Sequence, residues 1–330
     1  MTTVEGQYDI VIAGQGAAGF AAALYAARYQ TKPVVIGETF GGETAIGGSI
    51  ENYPGYVDID GFDLMMHFRD QVVKYDVPIV DDKVTKVVGV EGCYEVETEY
   101  SGTYQTQTVI LAIGRERRKL GLPNEEEWTG KGVSFCSVCD APLHKDNVVA
   151  VVGGGNAAAE GAVLLAKYAT QVYLIYRGSE FFRPERIIVD ELNRTPNVTQ
   201  LLETNVVELQ GTDDLEGIRI DRPYNGSDEL TVDGIFIEIG ADPRADIPKE
   251  LGMNLNDEDE VIVDTAMRTN IPGIFAAGDL TNASGDLKQT ITAAAQGAIA
   301  ASAAYKYIME HPAACPWHAA APPQEEAVTA

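Results

Sequence analysis

The segment Phe135-Cys136-Ser137-Val138-Cys139-Asp140 sets two thiols two residues apart, with a carboxyl directly after the second. That spacing allows a short disulfide across one helical turn. It also lets a thiolate form at a lowered pKa, anywhere from ~3.5 to 7.5 in such motifs. Asp140 is placed to pass a proton to a leaving thiolate. The chemistry this predicts is thiol–disulfide exchange. Half of a zinc site is the other reading of the pair, and it needs two more ligands. Only Cys93, Cys315 and four histidines remain to supply them, with no second close pair. None of His67, His144, His311 and His318 stands beside a nucleophile, so hydrolase chemistry has no support.

Two glycine turns flank the cysteines in sequence. The first, Gly14-Gln15-Gly16-Ala17-Ala18-Gly19, follows a strand over residues 9–13 and leads into a helix from Phe20 to about Arg28, then a strand over 33–36. The second, Gly153-Gly154-Gly155-Asn156-Ala157-Ala158, follows a strand over 148–152 and opens a helix through Lys167, then a strand over 171–175. A lone glycine triplet is as readily a tight turn. Strand, turn and helix within one βαβ unit make a dinucleotide site, because the backbone approaches a pyrophosphate and the helix start offers free N–H groups. Two such sites in one chain point to electron transfer between two dinucleotides.

The remaining segments fit an open α/β architecture. Residues 84–110 alternate apolar and polar and carry Gly89, Gly92 and Gly102, which reads as an antiparallel insertion. Buried strands are expected at residues 109–114, 235–240 and 274–279, and an Ala-rich helix at 290–309. The last twenty residues, rich in Ala, Pro and Glu, read as a flexible tail. Cys93 reads as a buried small hydrophobe, and Cys315 has no second cysteine near it.

The chain has 330 residues, enough for two domains, and 45% are hydrophobic, which excludes disorder throughout. Fifty acidic against 24 basic residues give a net charge of −26. Such a surface repels nucleic acid and disfavours an anionic membrane. It exceeds what solubility needs and reads as adaptation to high salt, with an ordinary acidic protein as the plainer alternative. Met1 to Asp9 lacks a basic and an apolar leader region. The stretch 291–309 is interrupted by Gln296, Ser302 and Lys306 and cannot span a membrane. Four cysteines make no disulfide framework, so a cytoplasmic location is expected.

These motifs, in this order, resemble the low-molecular-weight thioredoxin reductases, two-domain flavoproteins of the pyridine-nucleotide disulfide oxidoreductase group. The resemblance runs from about Tyr8 to Tyr307. It implies two Rossmann-like three-layer α/β domains: a FAD domain over residues 1–116 and 244–310, an inserted nicotinamide-type domain with the redox pair over 117–243, and a tail over 311–330. It implies that FAD is held by Gly14, Gly16, Ala17, Ala18 and Gly19, then by Glu38, Gly41, Gly42 and Glu43. Asn52 of Glu51-Asn52-Tyr53-Pro54-Gly55, Val84 and Ala112-Ile113-Gly114 follow. Gly278 and Asp279 close the late motif Arg268–Asp279, with Asp279 on a ribityl hydroxyl, and Lys288-Gln289-Thr290 touches the flavin ring. Cys136 and Cys139 become the redox disulfide and Asp140 its acid. NADPH is expected on Gly153, Gly155, Asn156, Ala157 and Ala158, with Arg177 and Arg183 on its phosphate. A thioredoxin-like protein is the implied substrate and a homodimer the implied assembly. The family's inserted domain swivels in each turnover, which places hinges near 115–119 and 241–246. The run Arg115-Glu116-Arg117-Arg118-Lys119 is then a solvated hinge or a docking patch for an acidic thioredoxin.

The chain departs from that pattern in its electron supply. Where the family has His-Arg-Arg, this sequence reads Tyr176-Arg177-Gly178, and the next arginine is Arg183. No acidic residue for an NADH ribose stands at the strand end. NADPH is therefore expected over NADH, held more weakly than usual. The family's histidine after Ile-Gly is replaced by Ala241, which leaves acid–base help at the flavin without a residue. Some branches that resemble the family lay a C-terminal aromatic over the flavin, which implies as a second expectation that Trp317 or His318 stacks on it, from the same or a partner subunit, with ferredoxin or another donor in place of nicotinamide. A disordered tail is the other reading. A dithiol oxidase and a flavin-bound redox sensor without turnover are the remaining alternatives.

Overall fold

Apolar runs bounded by glycine turns become the central strands of two separate sheets. The computed structural model describes residues 4–46, 49–50, 52–181, 186–285 and 287–312, without the side chains of residues 4, 5, 49, 138 and 139. The chain divides into two units. One contains Met1–Ala45, Ser49–Arg115 and Pro243–Ala330, the other Ile46–Gly48 and Glu116–Asp242.

In the first unit, strand Val4–Ala13 pairs in parallel with Pro33–Gly37 on one side and Thr103–Leu111 on the other. Ile79–Asp81 and Ile274–Ala276 extend the parallel part. Val84–Val90 and Cys93–Thr98 are added antiparallel, completing a seven-stranded sheet. Thr103–Leu111 is one continuous strand rather than the end of an insertion followed by a separate buried strand. Its first half pairs antiparallel with Cys93–Thr98 while its whole length pairs parallel with Val4–Ala13. Helices Ala17–Arg28 and Thr290–Glu310 cover one face through alanines and Phe20, with Ile10, Ile12, Ile110 and Phe275 beneath them. The first helix starts three residues earlier than expected, because Ala17, Ala18 and Gly19 form its first turn.

The second unit has a five-stranded parallel sheet in the order Val133–Ser134, Gly234–Ile237, Val148–Val152, Gln171–Tyr176, Val198–Leu202. Helix Asn156–Leu165 packs on it through Ala158, Ala159 and Ala162. It stops two residues short of the expected end. An antiparallel sheet of Val206–Gly211, Leu215–Tyr224 and Ser227–Thr231, not foreseen from the sequence, closes the opposite face over Trp128, Ile218 and Ile235. Two short strands, Arg115–Arg117 and Ala241–Pro243, pair with each other where the chain passes from one unit to the other. Among the described residues no helix is long and apolar enough to cross a membrane, and no cluster of metal-ligating side chains is found.

Candidate functional site

Strand Val4–Ala13 leads into Gly14, whose φ of +117° begins the first turn. A Cβ on Gly14 would lie 2.2 Å from the Ala112 carbonyl oxygen, and one on Gly19 would lie 1.9 Å from the Gly14 carbonyl oxygen. Neither position admits a side chain. The middle glycine differs, since a Cβ on Gly16 would meet nothing within 4 Å. That open space sits at the start of helix Ala17–Arg28, where no side chain caps the free N–H groups. Open space beside uncapped donors is what a pyrophosphate occupies, so the residues present fit FAD. Gln15 was missed in the sequence. It is 3% exposed, and its Nε2 donates to the Gly37 and Val80 carbonyls and to Asp81 Oδ1, at 2.8–3.1 Å. The turn is thereby fixed to two neighbouring strands.

Residues distant in sequence close on this turn within the first unit. A Cβ on Gly42 would come 3.4 Å from the Gly16 Cα, and one on Gly278 would come 3.1 Å from the Ala18 Cβ. The Thr44 and Thr290 hydroxyls are 3.0 Å apart, and Asn52 Nδ2 donates to Gln289 Oε1 over 3.0 Å. Gly41–Glu43, Asn52, Ala112, Gly278–Asp279 and Gln289–Thr290 therefore border one region. Gln296, another residue without a sequence signal, is buried and accepts from Gly278 N at 2.8 Å and from the Thr281 hydroxyl at 3.0 Å. Glu38 pairs with Arg244 Nη1 at 2.9 Å, and Arg244 N donates to the Gly114 carbonyl next to Ile113. The Val84 side chain is core, packed with Val34 and Ile36, so any part it takes in cofactor binding falls to its backbone.

Charge in this region is organised by Glu260, which is 5% exposed. It accepts from Arg115 Nη2 at 2.6 Å, Lys288 Nζ at 2.8 Å and Asn256 Nδ2 at 2.9 Å. Burial pushes the Glu260 carboxyl up, but the hydrogen bonds from Lys288 and Asn256 and the charges of Lys288 and Arg115 together hold it below its ordinary value. Arg115 Nε also donates to the Asp279 carbonyl, and Lys288 Nζ to that of Thr281. The Asp279 carboxyl is raised by burial, against the opposing charges of Arg115 and Lys288. A carboxyl so placed suits a hydroxyl, which both gives and accepts a hydrogen bond, better than another anion. Because the Glu260 carboxyl is depressed in the folded state, its stabilisation is full above its unfolded value of 4.5 and lost as pH falls through the folded value. Glu260→Ala strands two cations and is expected to cost about 3–5 kcal/mol near neutral pH. The cost should shrink below about pH 4 in parallel melts of both proteins; a pH-independent difference would refute the ion-pair account.

In the second unit, Gly153 repeats the close approach, with a would-be Cβ 2.2 Å from the Glu238 carbonyl oxygen. Helix Asn156–Leu165 again starts without a side-chain cap. Asn156, Ala157 and Ala158 form its first turn after Gly155. The Tyr176 ring packs on this turn, where a Cβ on Gly154 would be 2.3 Å away, and stacks on Phe181 at 6.0 Å. Arg177 is exposed. Arg183, Trp317 and His318 lie outside the described residues.

Cys136 precedes the short helix Ser137–Asp140, and its N donates to the Ser134 hydroxyl at 3.0 Å. Cys136 is disulfide-bonded; the Cys139 side chain is not among those described. The Sγ lies 3.1 Å from the Ile46 carbonyl oxygen, a packing contact, since a disulfide sulfur has no proton to give. Glu238 anchors the turn by accepting from Ser137 N at 3.0 Å and Ser137 Oγ at 2.8 Å, and Arg117 Nη1 stands 3.7 Å from its second oxygen. Gly161 makes room for Ser137, because a Cβ there would lie 2.5 Å from the Ser137 hydroxyl. The cysteine turn is thus seated on the helix that follows the second glycine turn. Neither Glu238 nor Gly161 carried a recognisable sequence signal. Cys93 corrects an expectation: it is half-buried and disulfide-bonded, not a free buried thiol. Sequence spacing alone offered it no partner.

Comparison with known proteins agrees with this arrangement. Residues 8–297 match the family model of the pyridine nucleotide-disulphide oxidoreductases. Thioredoxin reductase of Mycolicibacterium smegmatis is 37% identical over 314 residues, covering 94% of this chain and 99% of that protein. The crystal structure of Lactococcus lactis thioredoxin reductase superposes with a TM-score of 0.85 at 34% identity, over 92% of this chain and 99% of the other. A ferredoxin-flavin thioredoxin reductase from Clostridium acetobutylicum gives 0.50 at 29% identity, over 92% and 99%.

Proposed function

The chain belongs to the pyridine nucleotide-disulphide oxidoreductase family, and from that premise we propose that it is a FAD-dependent thioredoxin reductase, drawing electrons from NADPH and reducing a thioredoxin-like protein disulfide. The observation that carries the reading is the disulfide-bonded Cys136 in a Cys-x-x-Cys-Asp turn, packed on a dinucleotide-type helix of the second unit. FAD, when bound, supplies two-electron transfer between a pyridine nucleotide and this disulfide.

The chain's own residues perform the exchange. Once the Cys136–Cys139 pair is reduced, one thiolate attacks a sulfur of the partner disulfide and displaces the other partner sulfur as a thiolate. Asp140 delivers a proton to that leaving sulfur. The second cysteine then attacks the mixed disulfide, restoring the Cys136–Cys139 bond and releasing a reduced partner. Glu238 holds Ser137 between the two cysteines, so the turn keeps its shape as the bond opens and closes. In the first unit, Gly14, Gly16 and the start of helix Ala17–Arg28 would hold the FAD pyrophosphate, and Asp279 a ribityl hydroxyl. A homodimer and a high-salt working environment complete the reading, the latter supported by the net charge of −26.

Electron supply has a second reading, with ferredoxin or another donor in place of NADPH. What favours it is Tyr176, whose ring packs on the second glycine turn where the family's phosphate-binding run would begin. An anaerobic titration of the yellow protein in high salt separates the two. Bleaching of the flavin by stoichiometric NADPH is expected, with Arg177→Ala raising the required concentration on the order of tenfold. If dithionite bleaches the flavin and neither NADPH nor NADH does, the NADPH assignment fails and the second reading stands.

A further inference from the structure

A carboxylate stands directly behind the cysteine turn. Ser137, the residue after Cys136, gives both its N–H and its hydroxyl to one oxygen of Glu238, at 3.0 and 2.8 Å. Glu238 follows strand Gly234–Ile237, and its side chain is only 11% exposed. Two donors on one oxygen suit a carboxylate, which only accepts. Arg117 Nη1 is 3.7 Å from the other oxygen, a looser pairing. On the far side of the sulfur, the Ile46 carbonyl oxygen lies 3.1 Å from Cys136 Sγ. That oxygen accepts the proton of a thiol and repels a thiolate. The remaining elements around the turn bring little positive charge. Strand Val133–Ser134 has none, and helix Asn156–Leu165 carries one charge, the exposed Glu160. In strand Arg115–Arg117, Glu116 is exposed and Arg115 is engaged with Glu260. Asp140 ends the short helix of the turn itself. His144, which feels the charges of Asp140 and Asp233, is nevertheless pulled below its ordinary value by burial.

We propose that Glu238 is a positioning residue that sets the redox poise of the Cys136 disulfide, making the reduced pair a stronger reductant by disfavouring negative charge on Cys136. The proposal rests on the reading of Cys136 and Cys139 as the working pair. Reduction adds two electrons and opens the S–S bond. Where both sulfurs take up protons, the dithiol is neutral and the charge of Glu238 has no opposing partner. Where one sulfur stays a thiolate, one proton is taken up and one negative charge appears beside the carboxylate. Like charges in one site oppose each other. The oxidised pair is neutral and escapes this cost, so the balance moves toward the disulfide. The dithiol then gives its electrons more readily to a partner disulfide.

The cysteine spacing alone points the other way, since turns of this kind commonly favour the thiolate. Here the first N–H of the turn, that of Ser137, is given to Glu238. Arg117 opposes Glu238, because a cation beside the carboxylate weakens its field at the sulfur. The two side chains therefore move the poise in opposite directions, and the sign of each effect can be read separately.

The test equilibrates the full chain anaerobically with mixtures of reduced and oxidised dithiothreitol. This probe closes its own ring disulfide as it gives up two electrons and two protons. After alkylation and trypsin digestion, mass spectrometry of the peptide 132–145 gives the reduced fraction, and from it the equilibrium constant K for reduction of the pair. Glu238→Gln keeps an oxygen for both Ser137 bonds and removes the charge. It should raise K about tenfold at alkaline pH, equivalent to about 30 mV. The ratio to the parent, in which the titration of dithiothreitol cancels, should fall toward one as pH drops and both sulfurs are protonated. The pH profile of Cys136 alkylation by iodoacetamide should move down by about one pH unit. Ser137→Ala, which removes a hydrogen bond and no charge, should leave K within threefold of the parent. Arg117→Gln should lower K at least threefold at alkaline pH. The proposal is overturned by a Glu238→Gln ratio below twofold at every pH, or by one that does not vary with pH. It is equally overturned if Ser137→Ala shifts K as far as Glu238→Gln, or if Arg117→Gln fails to lower it. A colourless protein showing the expected shifts overturns the flavoprotein reading and leaves the role of Glu238 standing. Parent-like thioredoxin turnover in Cys136→Ser, with those shifts present in the other variants, removes the working-pair reading alone.

Discussion

Cys136→Ser is expected to lower thioredoxin-disulfide turnover on the order of 10³-fold or more, while the protein stays yellow and its flavin still bleaches with the reductant. The separation follows from where the residue sits. Cys136 lies in the second unit, bonded through Ser134 and next to the Ser137–Glu238 anchor, whereas the first glycine turn belongs to the first unit. Serine matches cysteine in shape, keeps the backbone bond to Ser134, and makes no disulfide. Only the exchange step is removed. Stopped-flow flavin absorbance reads the first half of the reaction, and insulin-coupled thioredoxin reduction reads the whole. Turnover within tenfold of the parent would place the chemistry on other groups and dismiss the Cys136–Cys139 pair as the working disulfide.

Gly19→Ala is expected to weaken FAD binding and to take a large share of the stability of the first unit, whereas Gly16→Ala should weaken FAD binding alone. The methyl at position 19 would sit 1.9 Å from the Gly14 carbonyl oxygen, and the obstruction is backbone that cannot swing aside. Relief requires the helix to move off the strand, at a cost of about 1–3 kcal/mol or more. Since domains are stabilised by only ~5–15 kcal/mol, that is a large share. A methyl at position 16 meets only open space. It costs the apoprotein little and takes room from the pyrophosphate, weakening FAD by about 10–100-fold, the equivalent of ~1–3 kcal/mol. Thermal melts of the apoproteins and FAD titrations by fluorescence quenching give the two quantities. Equal melting points for both variants would mean that the close packing at Gly19 is relieved at no cost.

Much of this was legible because the signals are local. A glycine turn between a strand and a helix is written in consecutive residues, and so is a Cys-x-x-Cys-Asp turn. Gly14–Gly19, Gly153–Ala158 and Cys136–Asp140 were read directly, along with the order of the major strands. Boundaries slipped where one segment serves two roles. Ala17–Gly19 is at once the turn and the first turn of the helix, and Thr103–Leu111 pairs antiparallel on one side and parallel on the other. The strands over 206–231 escaped because short alternation on a half-exposed surface is a weak pattern.

By itself the sequence determined the two dinucleotide-type turns, the dithiol chemistry and the acidic surface, each of which depends on neighbouring residues or on composition. Only the tertiary structure decided which distant residues serve them. Glu260 gathers Arg115 and Lys288 beside Asp279. Gln15 and Gln296 lock backbone groups far from them in sequence, and Glu238 holds the turn between the cysteines. Cys93 is paired instead of free. These contacts join residues tens to hundreds of positions apart. Buried polar groups must find hydrogen-bond partners wherever the packed sheets and helices bring them, and no local pattern records where that will be.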